Sequence, residues 1–329
     1  MKSARSLNGF ILILIITLLV ACSRKEEKSV GAAQQTGKPL TVIRFATLPG
    51  DLPISLGLKK GFFADQGIDV KFVNVNGGVE AVTAAAAGEA ELGAMGTPVI
   101  IGAAAGVPIK IVGSPTSPGQ PFVLIANQRY KSLADLKGKP VIAGKPGQGT
   151  IQAFNYIVRA KGLKPTDFQL VTADGVAAAL AALQSGKVDA VIGMEISGAK
   201  AEAEGFGKVI ERAAEYFGHY QHSYTFATEK IIKEKPEVVK GFLAAYRKSV
   251  EYIKAHPDEA IRFGIDELHH DKTAFSAVYA KEIPTWDASG RVDLEGTDNA
   301  IRILKELGEI DPNNKITARQ IMDEQFLPK

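Results

Sequence analysis

The stretch EAVTAAAAGEAELGAMG (residues 80–96) returns 98 positions later as AALAALQSGKVDAVIGM (residues 178–194). In each copy an Ala-rich segment of helical character ends at a glycine, Gly88 or Gly186. Glycine is the residue that most readily takes the left-handed conformation closing a helix. A charged residue, a small one, an acid and a short apolar strand follow in both copies. A second pair, PGDLPI (residues 49–54) and PGQGTI (residues 146–151), lies 97 positions apart. Helix–glycine–strand units are common enough to converge, but matched order at a nearly constant offset reads as two similar lobes.

Outward from these segments, strand-like and helix-like stretches alternate from Leu40 onward, the pattern of an α/β fold with mostly parallel sheets. Between a strand KPVIA (residues 139–143) and an amphipathic helix IQAFNYIVRA (residues 151–160) stands GKPGQGT (residues 144–150). Gly144 and Gly149 enclose four residues and Thr150 follows, close to a nucleotide phosphate loop. That loop needs a Lys between its second Gly and its Ser/Thr to reach the outer phosphates, and none stands here. In parallel sheets ligands bind outside the carboxyl ends of the strands. Two lobes facing each other across those edges make a cleft, and the glycine loop lines it. The expected division is lobe 1 over residues 40–125 and 228–329, and lobe 2 over residues 126–227. The strands PFVLIANQ (residues 121–128) and HSYTFAT (residues 222–228) mark two crossings between lobes, a hinge that permits closure. A helix is expected near residues 238–254, where Val239, Phe242, Leu243, Tyr246, Val250 and Ile253 recur at intervals of three and four.

The chain has 329 residues, 46% hydrophobic and 23% charged, which fits an ordinary globular protein and excludes a disordered one. The N-terminus differs. Lys2 and Arg5 precede FILILIITLLVA (residues 10–21) and then Cys22, the only cysteine. The apolar run falls short of the ~20 residues of a membrane span and suits a secretory signal. One cysteine allows no internal disulfide. Leu19-Val20-Ala21-Cys22 resembles a bacterial lipobox, in which the Cys is lipidated and becomes the new N-terminus. Residues 23–39 are polar and without periodicity, a flexible tether spanning roughly 20–25 Å on average. Cleavage removes two basic residues and no acidic one, so the net charge falls from +3 to +1. A balance near zero argues against nucleic acid as a partner.

GFFADQGIDVKFV, AAAAGEAELGAMGTPVIIGAAAGVPIKIVGS, SLADLKGKPVIAG, ALQSGKVDAVIG and KEKPEVVKGFLAAYRKSVEYIKAHPDEA, in this order, resemble solute-binding proteins of ABC importers. The branch is the one of nitrate, sulfonate, taurine and thiamine-pyrimidine binders. The resemblance covers nearly all of the chain after Cys22 and implies a two-lobed periplasmic-binding-protein-like fold. It also implies a small-molecule ligand, no cofactor, an ABC permease with its ATPase as partners, a monomer, and an extracytoplasmic, membrane-anchored location. Pyrimidine-synthesising enzymes that share this fold carry a cysteine-rich motif and an active-site His. The single Cys of this chain stands in the signal. A third reading is a ligand sensor coupled to a receptor.

The cleft would draw on several loops. Gly147, Gln148, Gly149 and Thr150 stand at a helix entry, where unpaired N–H groups favour an acceptor or anion. Thr150 either caps its own helix or meets the ligand, and the two roles are compatible. In the first lobe Pro49, Asp51 and Leu52 occupy the equivalent loop, with Asp51 either a helix cap or a ligand contact. Gly96 and Thr97 end one strand, and Thr116 and Ser117 lie in the loop SPTSPGQ (residues 114–120). Glu195 follows AVIGM and is the one acid at that strand end, suited to an amine or aminopyrimidine; the alternative is a solvated or capping carboxylate. Family members often carry a Pro just after this position, where this chain has Ile196. His219 and His222, and the adjacent His269 and His270, lack the Cys or carboxylate company of a metal site. Tyr216, Phe217, Tyr220 and Tyr224 either stack on a planar ligand or pack between lobes. No catalytic triad order, paired catalytic acids or dinucleotide fingerprint is present.

Overall fold

Two five-stranded sheets of one design organise this computed structural model, which describes residues 39–114 and 119–326. The first sheet holds β1 (Thr41–Thr47), β2 (Ile68–Asn74), β3 (Leu92–Met95), β4 (Ile109–Gly113) and β10 (Tyr224–Thr228) in the order β2-β1-β3-β10-β4. The second holds β5 (Phe122–Ala126), β6 (Pro140–Ile142), β7 (Gln169–Val171), β8 (Ala190–Met194) and β9 (Lys208–Arg212) in the order β7-β6-β8-β5-β9. Both pair their first three strands in parallel and place one antiparallel strand fourth. Even the irregularities correspond. The antiparallel strand shifts register at Thr225/Phe226 against β4, and at Leu124/Ile125 against β9.

The antiparallel place is where the chain changes sheets. After β4 the chain leaves the first sheet and β5 enters the second; after β9 it returns as β10. The passages lie between Gly113 and Phe122 and between Arg212 and Tyr224, so β5 and β10 stand on the opposite side of the divisions expected at 125 and 227. Both strands are almost wholly buried, and a continuous apolar run carries no facing preference that assigns it to one sheet.

Helices α1 (Leu52–Lys59), α2 (Gly78–Ala86) and α3 (Pro98–Ala104) follow β1, β2 and β3, and α4 (Gly149–Ala160), α5 (Gly175–Gln184) and α6 (Glu195–Ala203) follow β6, β7 and β8. The apolar stripe read from the sequence buries Val239, Phe242, Tyr246, Val250 and Ile253 of the helix Pro236–Ala255, and Phe242 stacks on Phe45 at 5.1 Å. The C-terminal helices serve both halves rather than the first alone. Lys272–Glu282 packs on α6, while Leu294–Leu307 packs on α4, where Arg159 Nη1 donates to the Glu306 carbonyl at 2.8 Å. One buried cluster runs through both sheets, from Ala46 and Met95 to Leu124, Phe154, Ile192 and Phe226. No helix among the described residues is long and apolar enough to cross a membrane. Residues 1–38, with Cys22 and most of the tether, lie outside the described residues, as do Thr116 and Ser117.

Candidate functional site

The carboxyl ends of both sheets open on one cavity of about 240 Å³. From the first half it takes Leu48, Met95 and Gly96, and the turn Asn76-Gly77-Gly78 that starts α2. From the second it takes Gly144, Lys145, Gln148, Gly149 and Thr150 at the start of α4, Asp174 and Gly175 at the start of α5, and Ile192 to Met194 of β8. Phe122 and His222, one from each passage between the sheets, complete the wall.

Three helix starts therefore face this space, and none of α2, α4 and α5 has a side chain hydrogen-bonded to its first-turn amides. Several helices away from the cavity have their first turns closed by a carboxylate. Asp51 accepts from Ile54 N at 2.9 Å, Asp271 from Ala274 N at 2.8 Å and Asp293 from Gly296 N at 2.6 Å. Open helix starts concentrate unpaired N–H groups and partial positive charge, so the cavity favours a hydrogen-bond acceptor. Charged side chains at the rim are already engaged. Lys145 Nζ lies 2.9 Å from Asp174 Oδ1, which raises the lysine and lowers the carboxylate pKa. Glu80 turns back to accept from Asn76 N at 2.8 Å. The remaining wall is apolar, with Met95, Phe122, Ile142, Ile192 and Met194.

Two glycines of the wall stand close to facing side chains. A Cβ at Gly77 would lie 2.8 Å from Gln148 Nε2 across the cavity, and one at Gly96 would lie 2.9 Å from His222 Cε1. His222 is 8% exposed, sits edge-on to Phe122 at 4.9 Å, and its Nδ1 has no hydrogen-bond partner among the described residues. Burial pushes its imidazole down to about 4, so the ring is neutral near pH 7.

Of the residues expected at the cleft, Gly96, Gln148, Gly149 and Thr150 line this cavity. Gly147 stands just behind, its carbonyl accepting from Gln152 Nε2 at 3.2 Å. Thr97 is buried, and its hydroxyl donates to Gln152 Oε1 at 2.5 Å, a bond from the first half to α4. The first-half loop is different from expectation. Asp51 caps α1, Leu52 is buried with Leu56 and Phe275, Pro49 is exposed, and none of the three lines the cavity. Glu195 does not reach it either. As the first residue of α6 it points to Arg212, whose Nε donates to its carboxylate at 3.1 Å. The aromatic group is packing. Phe217 and Tyr220 are buried edge-to-face at 4.9 Å, Tyr224 Oη donates to the Gln221 carbonyl at 2.7 Å, and Tyr216 donates to Glu211. His219 pairs with Asp293 at 2.9 Å, and His270 lies within hydrogen-bond reach of the Gly50 carbonyl at 3.2 Å. No group of three or more His, Cys, Asp or Glu among the described residues is placed to hold a metal ion.

Sequence reasoning passed over the turns after β2 and β7. NGG (residues 76–78) and ADG (residues 173–175) hold equivalent places in the repeat, and both punctuate a strand-to-helix entry, the signal that would have found them. His222 had no such local signal.

The NMT1/THI5 like family matches residues 49–260, more than half of the chain, and the chain belongs to that family. A protein of Bacillus subtilis (strain 168) named as an aliphatic sulfonates-binding protein is 25% identical over 331 residues, covering 97% of this chain and 95% of its own. A 4-amino-5-hydroxymethyl-2-methylpyrimidine phosphate synthase of Saccharomyces cerevisiae is 25% identical over 257 residues, covering 72% of this chain and 74% of its own. In structure, the periplasmic aliphatic sulphonate binding protein SsuA from Escherichia coli superposes with a TM-score of 0.71 at 21% identity, covering 86% of this chain and 92% of its own. The fold is that of periplasmic binding proteins.

Proposed function

We propose that this member of the NMT1/THI5 like family is the extracytoplasmic solute-binding component of an ABC importer, exported and anchored through a lipid on Cys22. It captures one small organic molecule in the cavity between the sheets and hands it to a permease with its ATPase. The observation that supports this most is the convergence of three uncapped helix starts on one cavity lined by both halves. Such a site binds without needing a nucleophile or a proton-transfer pair, since its amides act as fixed donors.

The solute that fits best is a nitrogen-bearing heterocycle with an acceptor group. Its acceptor meets the helix starts, and its ring lies among Phe122, Met95 and Met194, whose sulfur atoms favour aromatic neighbours. The reason for this preference is not Glu195, which is occupied by Arg212. A sulfonate is the competing solute, because open helix starts also suit an anion; against it, Lys145, the one cation at the rim among the described residues, is paired with Asp174. Similarity to the yeast synthase favours a second reading, an enzyme of pyrimidine synthesis.

Calorimetry of the folded chain with 4-amino-5-hydroxymethyl-2-methylpyrimidine and with ethanesulfonate tests this. One molecule bound per chain and recovered unchanged is the expected result; a new product in the recovered solution would support the enzyme. Failure of both compounds to bind or to raise the melting temperature would sink the reading, since ligand at 100 times its Kd should add ~2.7 kcal/mol of stability. Membrane fractionation of Cys22→Ala tests the anchor: the variant is expected to stay unprocessed or leave the membrane fraction.

A further inference from the structure

We propose that Asp174 sets the charge class of the solute: it holds Lys145 in an ion pair at the cavity rim and withholds that cation from an anion. The inference rests on the solute-capture reading above and names the residue that disfavours a sulfonate there. Three observations carry it. The first is placement. Lys145 Nζ and Asp174 Oδ1 lie 2.9 Å apart, and both residues line the cavity. With Glu80, the charged side chains of the described wall are one cation and two acids, so an entering anion gains no net attraction from them. The second is a carboxylate turned away from its own helix. Asp51, Asp174, Asp271 and Asp293 each stand in the capping position of a helix. Asp51, Asp271 and Asp293 accept from their own first turns, at 2.9, 2.8 and 2.6 Å. Asp174 instead accepts from Lys145 and leaves the α5 amides open to the cavity. Asp is among the strongest capping residues, so this orientation gives up a local bond for the one with Lys145. The third is the repeat. The places 97 positions earlier hold Leu48 and Gly77, which line the cavity without either charge. The first half builds the same strand–turn–helix entries without such a pair, so the fold does not require one.

Both partners are open to water, with 48% of the Lys145 side chain and 94% of the Asp174 side chain exposed. An exposed pair adds little to stability, so its effect falls on what approaches it. A sulfonate competes with Asp174 for the ammonium and meets two carboxylates besides. An uncharged heterocycle meets no such opposition. Freed of Asp174, the flexible Lys145 stem brings its ammonium to an anion held at the helix starts. One unit charge about 4 Å away in water-like surroundings corresponds to about a fivefold change in affinity.

The test is calorimetry of the full chain with ethanesulfonate and with 4-amino-5-hydroxymethyl-2-methylpyrimidine, in the parent, Asp174→Asn, Lys145→Gln and the double variant. The exposure of the pair means that all should melt like the parent. Asp174→Asn should raise ethanesulfonate affinity about three- to tenfold relative to pyrimidine affinity. Ethanesulfonate binding that appears only in Asp174→Asn is the same gain in its strongest form. The gain should shrink at high salt and vanish in the double variant, where no ammonium is left to release. A cavity merely rearranged by the substitution would keep its gain there. An affinity ratio that stays within about twofold of the parent in Asp174→Asn overturns the proposal while solute capture stands. So does a gain that survives in the double variant. If neither compound binds the parent or any variant, solute capture falls and the proposal with it.

Discussion

At equivalent places in the repeat, the first turn of α1 is closed by the Asp51 carboxylate and the first turn of α4 is left open toward the cavity. Both follow a strand of matching sheet position, β1 or β6, and both begin with a Pro-Gly turn. In the first half Asp51 also receives the Thr47 hydroxyl at 3.3 Å, and burial pushes its carboxyl up to about 6. In the second half Gln148 turns its Oε1 back to Lys145 N at 2.9 Å and leaves the α4 amides unclosed. One loop is finished by its own side chain and the other awaits a partner. A repeat thus fixes the neighbourhood of a residue without fixing its role, because one capping side chain is enough to convert a ligand-facing helix start into a structural one.

The largest effect belongs to what the halves share. Each sheet depends on the strand that arrives from the other, so Phe226→Ala in β10 should cost about 3–5 kcal/mol in urea unfolding, the usual range for a fully buried Phe. Retention of full stability would mean that the exchanged strand carries little, and the two halves would then be independent folds.

His222 and Asp51 sharpen the comparison through pH. The histidine is held below its unfolded value, so its contribution to stability is present above about pH 6.5 and is lost as pH falls toward about 4. The span corresponds to roughly 3 kcal/mol. Asp51 runs the other way. Its folded value is raised, so its contribution is present below the unfolded carboxylate range and is lost as pH rises through about 6. Between those limits the two slopes oppose. His222→Gln should make stability fall with rising pH relative to the parent, and Asp51→Asn should make it rise. Unchanged slopes of urea midpoint against pH in both variants would contradict the burial of both groups.

Thr97→Val comes next. It removes the bond to Gln152 that ties the first half to α4 and should cost about 1–3 kcal/mol, the range for leaving a buried acceptor unmet. The smallest effects separate the two loops themselves. Asp51→Ala should cost about 0.5–2 kcal/mol as the loss of a helix cap and leave solute affinity unchanged. Gln148→Ala should change stability by no more than about 0.5 kcal/mol and weaken solute binding several-fold, because Gln148 lines the cavity. Reversal of these two outcomes would exchange the roles assigned to the loops.

Local rules made much of this protein legible from sequence alone. The spacing of Val239, Phe242, Tyr246, Val250 and Ile253 gave a buried helix face, and the glycine-terminated helices before β3 and β8 gave the repeat. The position of Gln148, Gly149 and Thr150 on a carboxyl-edge cavity followed from the strand–turn–helix order. The helix face and the loop depend on backbone conformation and on periodicity within a dozen residues, and the repeat needs only the matched order of two such windows. What Glu195 faces, which sheet receives β5 and β10, and whether Asp51 turns inward or toward its own helix are different questions. Each is settled by a partner far along the chain or by the packing around it: Arg212 for Glu195, β8 and β9 for β5, the buried surroundings of α1 for Asp51. His222 is the clearest case, since its place on the cavity wall arises only when β10 threads between β3 and β4 and brings the residues before it beside Gly96 and Phe122. Tertiary structure alone decided that, because the free energy that places a buried imidazole comes from contacts among three distant segments and leaves no trace in its immediate neighbours.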